Sequence, residues 1–218
     1  TYGPDRLEGK LAARQLLQQI TGLEPNGHSL IMINSGRWAE QKGTDILLSV
    51  LPQLLSGLDI QFVTIGSQAE GAPFREQFLA MREKHPRQVA LLDYDGEYGA
   101  GLTGERMESL TLASGDLYLM PSRFEPCGLG QMYAMKLGVP VVASQTGGLA
   151  DTITDGKTGF LFDGVTGPNL RRSIMAANDL FRDQPDKWRA MQSAAMSQDF
   201  SWQAASQYYL DLYQELAL

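Results

Sequence analysis

Five short apolar runs punctuate the chain, at residues 30–35, 60–65, 89–92, 117–120 and 139–143, and the first two each end beside a glycine. Their apolar residues are continuous rather than alternating, and β-branched or aromatic side chains are frequent, which predicts strands covered on both faces. Between them, at 44–55, 74–84, 106–113 and 129–137, apolar residues recur at the spacing of one helix face, with a kink expected at Pro52. Strands alternating with helices in this way predict an α/β fold built on a Rossmann-like, doubly wound parallel sheet. Beyond Pro168 the pattern turns helical, over 170–181, 187–196 and 202–216. Ahead of the first strand, Leu7, Leu11, Leu16, Leu17 and Ile20 give one more helical face, broken over 22–27. The expected organisation is an interdomain linker and leading helix over 1–27, a sheet domain over 28–200, and a terminal helix over 201–218.

Composition narrows the classes of function. With 218 residues, 43% hydrophobic and 20% charged, the chain has enough material for a sizeable core. Its formal net charge is −7 and its 18 basic residues are scattered, so nucleic acid is not an expected partner. Cys127 is the one cysteine; with only His28 and His85 beside it, the sequence offers neither an internal disulfide nor a Cys/His metal site. A reducing compartment is the simplest reading. No apolar run approaches the roughly 18 residues that span a bilayer, and the first residues are unlike a signal peptide, so no membrane partner is expected.

Several segments carry candidate chemistry. Gly99-Ala100-Gly101-Leu102-Thr103-Gly104 satisfies the glycine string of dinucleotide sites, but it begins several residues beyond its strand rather than in the turn directly after it, which favours a glycine-rich surface loop. Asp93 and Asp95 have the spacing of a metal-binding carboxylate pair, yet acidic residues are common at strand ends for local hydrogen-bonding reasons. Ser122-Arg123-Phe124-Glu125-Pro126-Cys127-Gly128-Leu129-Gly130-Gln131 is more specific. It lies between a predicted strand and a predicted helix, where free backbone N–H groups favour an anion. Glu125 would repel phosphate there, so its carboxylate is expected to face the hydroxyls of an attached sugar. Thr146-Gly147-Gly148-Leu149 follows the next strand in the same way, with two glycines that let backbone amides approach a ligand. Residues 36–43 place Arg37 and Lys42 on one strand-to-helix loop. Taken alone these two read as surface cations, although all three loops leave carboxyl ends of predicted parallel strands, where open α/β sheets bind ligands.

Taken together, Arg37 with Lys42, the 122–131 segment and the 146–149 segment resemble the signature blocks of the bacterial and plant starch and glycogen synthases, and Phe200-Ser201-Trp202 resembles that family's entry into its final helix. The resemblance implies the C-terminal, nucleotide-sugar-binding half of a two-domain GT-B glycosyltransferase. It implies transfer of glucose from ADP-glucose to the non-reducing end of an α-1,4-glucan, with retention and without a metal or other cofactor. Arg37, Lys42 and Glu125 would then be catalytic; Tyr94, Ser122, Arg123, Cys127, Gly128, Leu129, Gly130, Thr146, Gly147 and Gly148 would contact the donor. Tyr94 is expected to stack on the base, with Tyr98 as its competitor. Implied partners are ADP-glucose, the glucan acceptor and an N-terminal GT-B domain toward which the terminal helix would pack, in a bacterial cytoplasm or a plastid stroma. Retaining enzymes of the sucrose synthase type carry a second glutamate eight positions after the first, where this sequence has Tyr133. Gly130 stands where many members have threonine. The alternatives are a GT-B transferase with a small acceptor, or a non-catalytic nucleotide- or glucan-binding module.

Overall fold

The computed structural model describes residues 3, 7, 9–71, 73–99 and 101–216. Thr1, and Ala100 of the glycine string, lie outside them. A leading helix α1 (Gly9–Thr21) precedes strand β1 (Leu30–Trp38); then follow α2 (Thr44–Gly57), β2 (Ile60–Gln68), α3 (Phe74–Lys84), β3 (Val89–Asp93), α4 (Gly104–Ser114), β4 (Leu117–Met120), α5 (Gly130–Lys136), β5 (Val141–Ser144), α6 (Gly147–Thr152) and β6 (Gly159–Phe162). Three helices end the chain: α7 (Gly167–Asp183), α8 (Pro185–Met196) and α9 (Trp202–Leu216). The sheet is parallel, in the order β3-β2-β1-β4-β5-β6, the doubly wound arrangement in which the chain reverses direction beside β1 and β4.

Both faces of the sheet are covered, which is why its strands read as continuous apolar runs. Along β1, Leu30 and Met32 join one core with α2, α3 and α7, while Ile31 and Ile33 join the opposite core with α1, α4 and α5. Two elements depart from the sequence reading. Strand β6 was not expected; its first residue is Gly159, where a Cβ would overlap the Val141 carbonyl of the neighbouring strand, so a residue of low strand propensity opens it. Strand β1 runs three residues past its apolar segment, because β2 keeps pairing with it in register as far as Trp38↔Gln68. Helix α2 passes through Pro52 and ends at Gly57. Among the described residues, no helix is long and apolar enough to cross a membrane.

Candidate functional site

The candidate loops leave the carboxyl ends of β1, β4 and β5, at and beside the switch point of the sheet, where open α/β sheets bind ligands. After β1 the chain makes a tight 3-10 turn, Glu40–Lys42, closed by Gly43 at φ +69°. That left-handed conformation favours glycine, and a Cβ at this position would also overlap the carbonyl oxygen of Pro121. Gly43 therefore lets the turn lie directly against the loop that follows β4. The contact is sewn by hydrogen bonds: Arg123 N–H donates to the Gln41 carbonyl at 2.9 Å, the Gln41 amide to the Phe124 carbonyl at 3.3 Å, and the Arg123 guanidinium to the Glu40 carbonyl at 2.5 Å. The consequence is a close pairing of the two principal candidates. Lys42 Nζ lies 2.5 Å from Glu125 Oε2, and Ser122 Oγ donates to the same carboxylate oxygen at 3.4 Å.

Two expectations change here. Arg37 does not sit in the loop with Lys42; it lies on the exposed end of the extended β1, its guanidinium donating to Gln41 Oε1 at 3.3 Å, so the turn's own glutamine ties it to the Lys42 segment. Arg123, expected among the donor contacts, has a structural tie as well. Its guanidinium makes a two-pronged ion pair with Asp45 in the first turn of α2, both bonds at 2.7 Å, and holds the Asp45 carboxyl below the usual carboxylate range.

The loop after β5 locks onto the same segment. Gly148 donates its N–H to the Glu125 carbonyl at 3.0 Å. A Cβ on Gly147 would overlap the Glu125 carbonyl, and one on Gly148 the Cys127 carbonyl, so both glycines are required for close backbone approach. The Gly148 N–H is thus hydrogen-bonded within the protein. Thr146 sits at the head of α6 with its carbonyl accepting from Leu149 N–H at 3.1 Å. Cys127 and Leu129 are exposed, and Gly128 takes a left-handed φ of +74°. Gly130 opens α5, and a Cβ there would come within 2.6 Å of the Tyr118 hydroxyl, which is buried in β4 and hydrogen-bonded to Ser35 Oγ at 2.9 Å. Tyr118, whose phenol burial pushes up to about 12, is the physical reason for a glycine where a threonine would be expected.

Tyr94 stands just past β3, lining a cavity of about 540 Å³ with Glu105, Glu108 and Leu112 of α4 and Tyr133 and Lys136 of α5. Its hydroxyl donates to Glu108 Oε2 at 2.6 Å, which pushes the phenol up to about 12. Tyr98 is used differently: its hydroxyl folds back on the Asp93 carbonyl at 2.5 Å and pins the loop. The described residues of the glycine string are held in place rather than slack. Tyr98 N–H reaches Leu102, Leu102 N–H reaches Gly99, and Gly104 passes so close to the Tyr94 carbonyl that a Cβ would overlap it. Asp93 is taken by Arg75 through two bonds at 2.8 and 2.7 Å, which keep its carboxyl below the usual range. Sequence reasoning gave no role to Gly43, Asp45 or Gln131. Gly43 had a readable signal, a glycine just after a basic turn residue, whereas Asp45 and Gln131 gain their roles only through contacts made in the fold.

A doubly wound sheet with a cation, a buried carboxylate and two interlocked glycine turns gathered at its switch point fits one class, the glycosyltransferases. The chain belongs to the family "Glycosyl transferases group 1", whose model matches residues 29–175. Among curated relatives, it is 37% identical over 226 residues to the glycogen synthase of Edwardsiella ictaluri, covering 99% of this chain and 45% of that protein. It is 39% identical over 223 residues to the glycogen synthase of Anaeromyxobacter dehalogenans, covering 99% and 44%. The chain therefore spans less than half the length of these relatives. Among solved structures, the catalytic domain of starch synthase IV from Arabidopsis thaliana, bound to ADP and acarbose, superposes with a TM-score of 0.84 at 27% identity, over 99% of this chain and 44% of that one.

Proposed function

We propose that this chain is the donor-binding domain of a retaining glucosyltransferase that moves glucose from ADP-glucose to the non-reducing end of an α-1,4-glucan. The observation that carries the reading is the Lys42–Glu125 pair, a cation against a buried carboxylate at the switch point of the sheet. The relatives named glycogen synthase, and the starch synthase neighbour bound to ADP and acarbose, support it. In this proposal an incoming diphosphate competes with Glu125 for the Lys42 ammonium, so donor binding itself releases the carboxylate to accept hydrogen bonds from the glucose hydroxyls. Lys42 and the neighbouring Arg37 then offset the charge that grows on the departing diphosphate, the kind of contact whose loss costs about 3–4 kcal/mol of barrier. These cations do the work without a metal. Retention follows if the leaving phosphate itself takes the proton of the incoming hydroxyl on the same face of the sugar. Cys127 serves as a turn residue.

Helix α9 buries none of its described residues and exposes Trp202, Tyr208, Tyr213 and Leu216, which supports packing against an N-terminal GT-B domain. That domain would add acceptor contacts and exclude water on closure. A bacterial cytoplasm or plastid stroma suits this chemistry. The test is calorimetric titration of this chain with ADP and with ADP-glucose, alongside chromatography of an oligosaccharide primer. Binding in the micromolar to millimolar range without primer elongation is expected, with elongation appearing once the N-terminal half is joined. Tyr94→Ala should weaken ADP binding by about 1–3 kcal/mol, as for aromatic platforms under bases elsewhere, and Tyr98→Ala far less. No ADP binding by the unaltered chain, or sustained elongation by it alone, would overturn the proposal.

A further inference from the structure

Gln131 is wholly buried at the start of α5, and its Oε1 has no hydrogen-bond partner. Its Nε2 is heavily used: it donates to the Gly128 carbonyl at 2.8 Å, to the Cys127 carbonyl at 3.0 Å and to Thr152 Oγ1 at 3.2 Å. Those partners fix the orientation of the amide, since the reverse would set Oε1 against two carbonyl oxygens. Leaving that acceptor buried and unpaired is unfavourable, and the side chain offsets it only through what its Nε2 holds in the loop. Packing alone therefore does not explain the side chain. What the amide achieves is to draw two consecutive carbonyls of the loop toward α5.

In a trans peptide the C=O and the next residue's N–H point in opposite directions. With the carbonyls of Cys127 and Gly128 held toward Gln131, the N–H groups of Gly128 and Leu129 point away from it. The left-handed Gly128 makes this geometry possible, and a Cβ there would come within 2.5 Å of Gln131 Oε1. Thr152, the third partner, donates its own hydroxyl to the Gly148 carbonyl at 2.5 Å, so the same amide reaches the loop that carries Gly147 and Gly148. We propose that Gln131 is a positioning residue for donor binding: it holds the 127–129 peptides so that two backbone N–H groups are presented to the diphosphate. The proposal rests on the donor-domain reading above.

The test uses this chain, ADP as the probe, calorimetry for affinity and thermal unfolding for stability. ADP binding by the unaltered chain is the first arm, and its absence would overturn the donor-domain reading itself. Gln131→Leu should weaken ADP binding about tenfold in a chain that still folds, with its unfolding midpoint lowered by about 4–12 °C because two part-buried carbonyls lose their donor. Gln131→Glu adds a pH profile. Neutral, its acid proton can still be donated to one carbonyl; ionised, it sets negative oxygens against both. Burial raises such a carboxyl above its usual value of about 4.3, so the affinity deficit relative to the parent chain should widen as pH rises from about 5 to about 8. Undiminished ADP affinity in a folded Gln131→Leu chain would overturn the proposal while leaving the donor reading intact. So would a Gln131→Leu chain that does not fold, or a Gln131→Glu deficit that does not change with pH.

Discussion

If Lys42 and Glu125 form a working pair, their individual losses must be unequal. The Glu125 side chain is 7% exposed and that of Lys42 is 28% exposed. Lys42→Met strands the more deeply buried charge, leaving the carboxylate only the Ser122 hydroxyl at 3.4 Å. Orphaning a fully buried charge costs about 3–5 kcal/mol; with the partner position open to water, about 2–3 kcal/mol is expected here. Glu125→Gln instead frees an ammonium that can swing into solvent, and about 1 kcal/mol is expected. The double variant should resemble Glu125→Gln, which gives a coupling of about 2–3 kcal/mol in a double-mutant cycle. For a domain of this size each kcal/mol moves the unfolding midpoint by about 2–4 °C, so Lys42→Met should fall by about 4–12 °C and Glu125→Gln by about 2–4 °C. Differential scanning calorimetry of the four chains at neutral pH reads these shifts directly. Additive effects, or a Glu125→Gln loss as large as that of Lys42→Met, would refute the pairing.

Gly130→Thr should destabilise the chain by about 1–3 kcal/mol through overpacking against the Tyr118 hydroxyl, and Tyr118→Leu in the same chain should recover most of the loss on thermal unfolding; an equal loss with either residue at 118 would count against that contact. Asp93 and Asp45 have carboxyls depressed by Arg75 and Arg123, so their pairs contribute stability that is present above the unfolded value of about 3.9 and is lost as pH falls through the depressed folded values. Arg75→Met and Arg123→Met should therefore lower the midpoint near neutrality and converge on the parent at strongly acid pH; a deficit that does not shrink on acidification would remove this account. Both pairs are about two-fifths exposed, so the effect should be modest and weakened by salt.

The fold was legible because burial on both faces leaves an unambiguous mark: runs such as Ile60-Gln61-Phe62-Val63 have few readings other than interior strands. Strand β6 escaped because Gly159-Phe160-Leu161-Phe162 is short and opens on a glycine whose reason, the neighbouring Val141 carbonyl, is set by tertiary packing. At the site, residue types at fixed offsets pointed to Lys42 and Glu125, which the fold brings together from segments 83 residues apart. The direction a side chain takes is a different matter. That Arg123 pairs with Asp45 in the first turn of α2 was not readable from its position in the motif. The Gly148 amide likewise bonds the Glu125 carbonyl, a contact that no local pattern encodes. What sequence could not supply was which polar groups the protein had already used on itself.

Because Arg123 hands its N–H to the Gln41 carbonyl and Gly148 hands its N–H to Glu125, residues 40–43, 122–131 and 146–149 cannot be exchanged one at a time. A chimera that imported only the 122–131 segment from a transferase with a different donor would carry a backbone shaped to another protein's turn and another protein's glycine pair. It would meet ill-fitting neighbours at both seams, and the loss would register as instability before any change in donor preference could be measured. If these segments bind the donor as proposed, donor choice is inherited as a three-piece cassette, and recombination libraries aimed at new sugar nucleotides should shuffle the three pieces together.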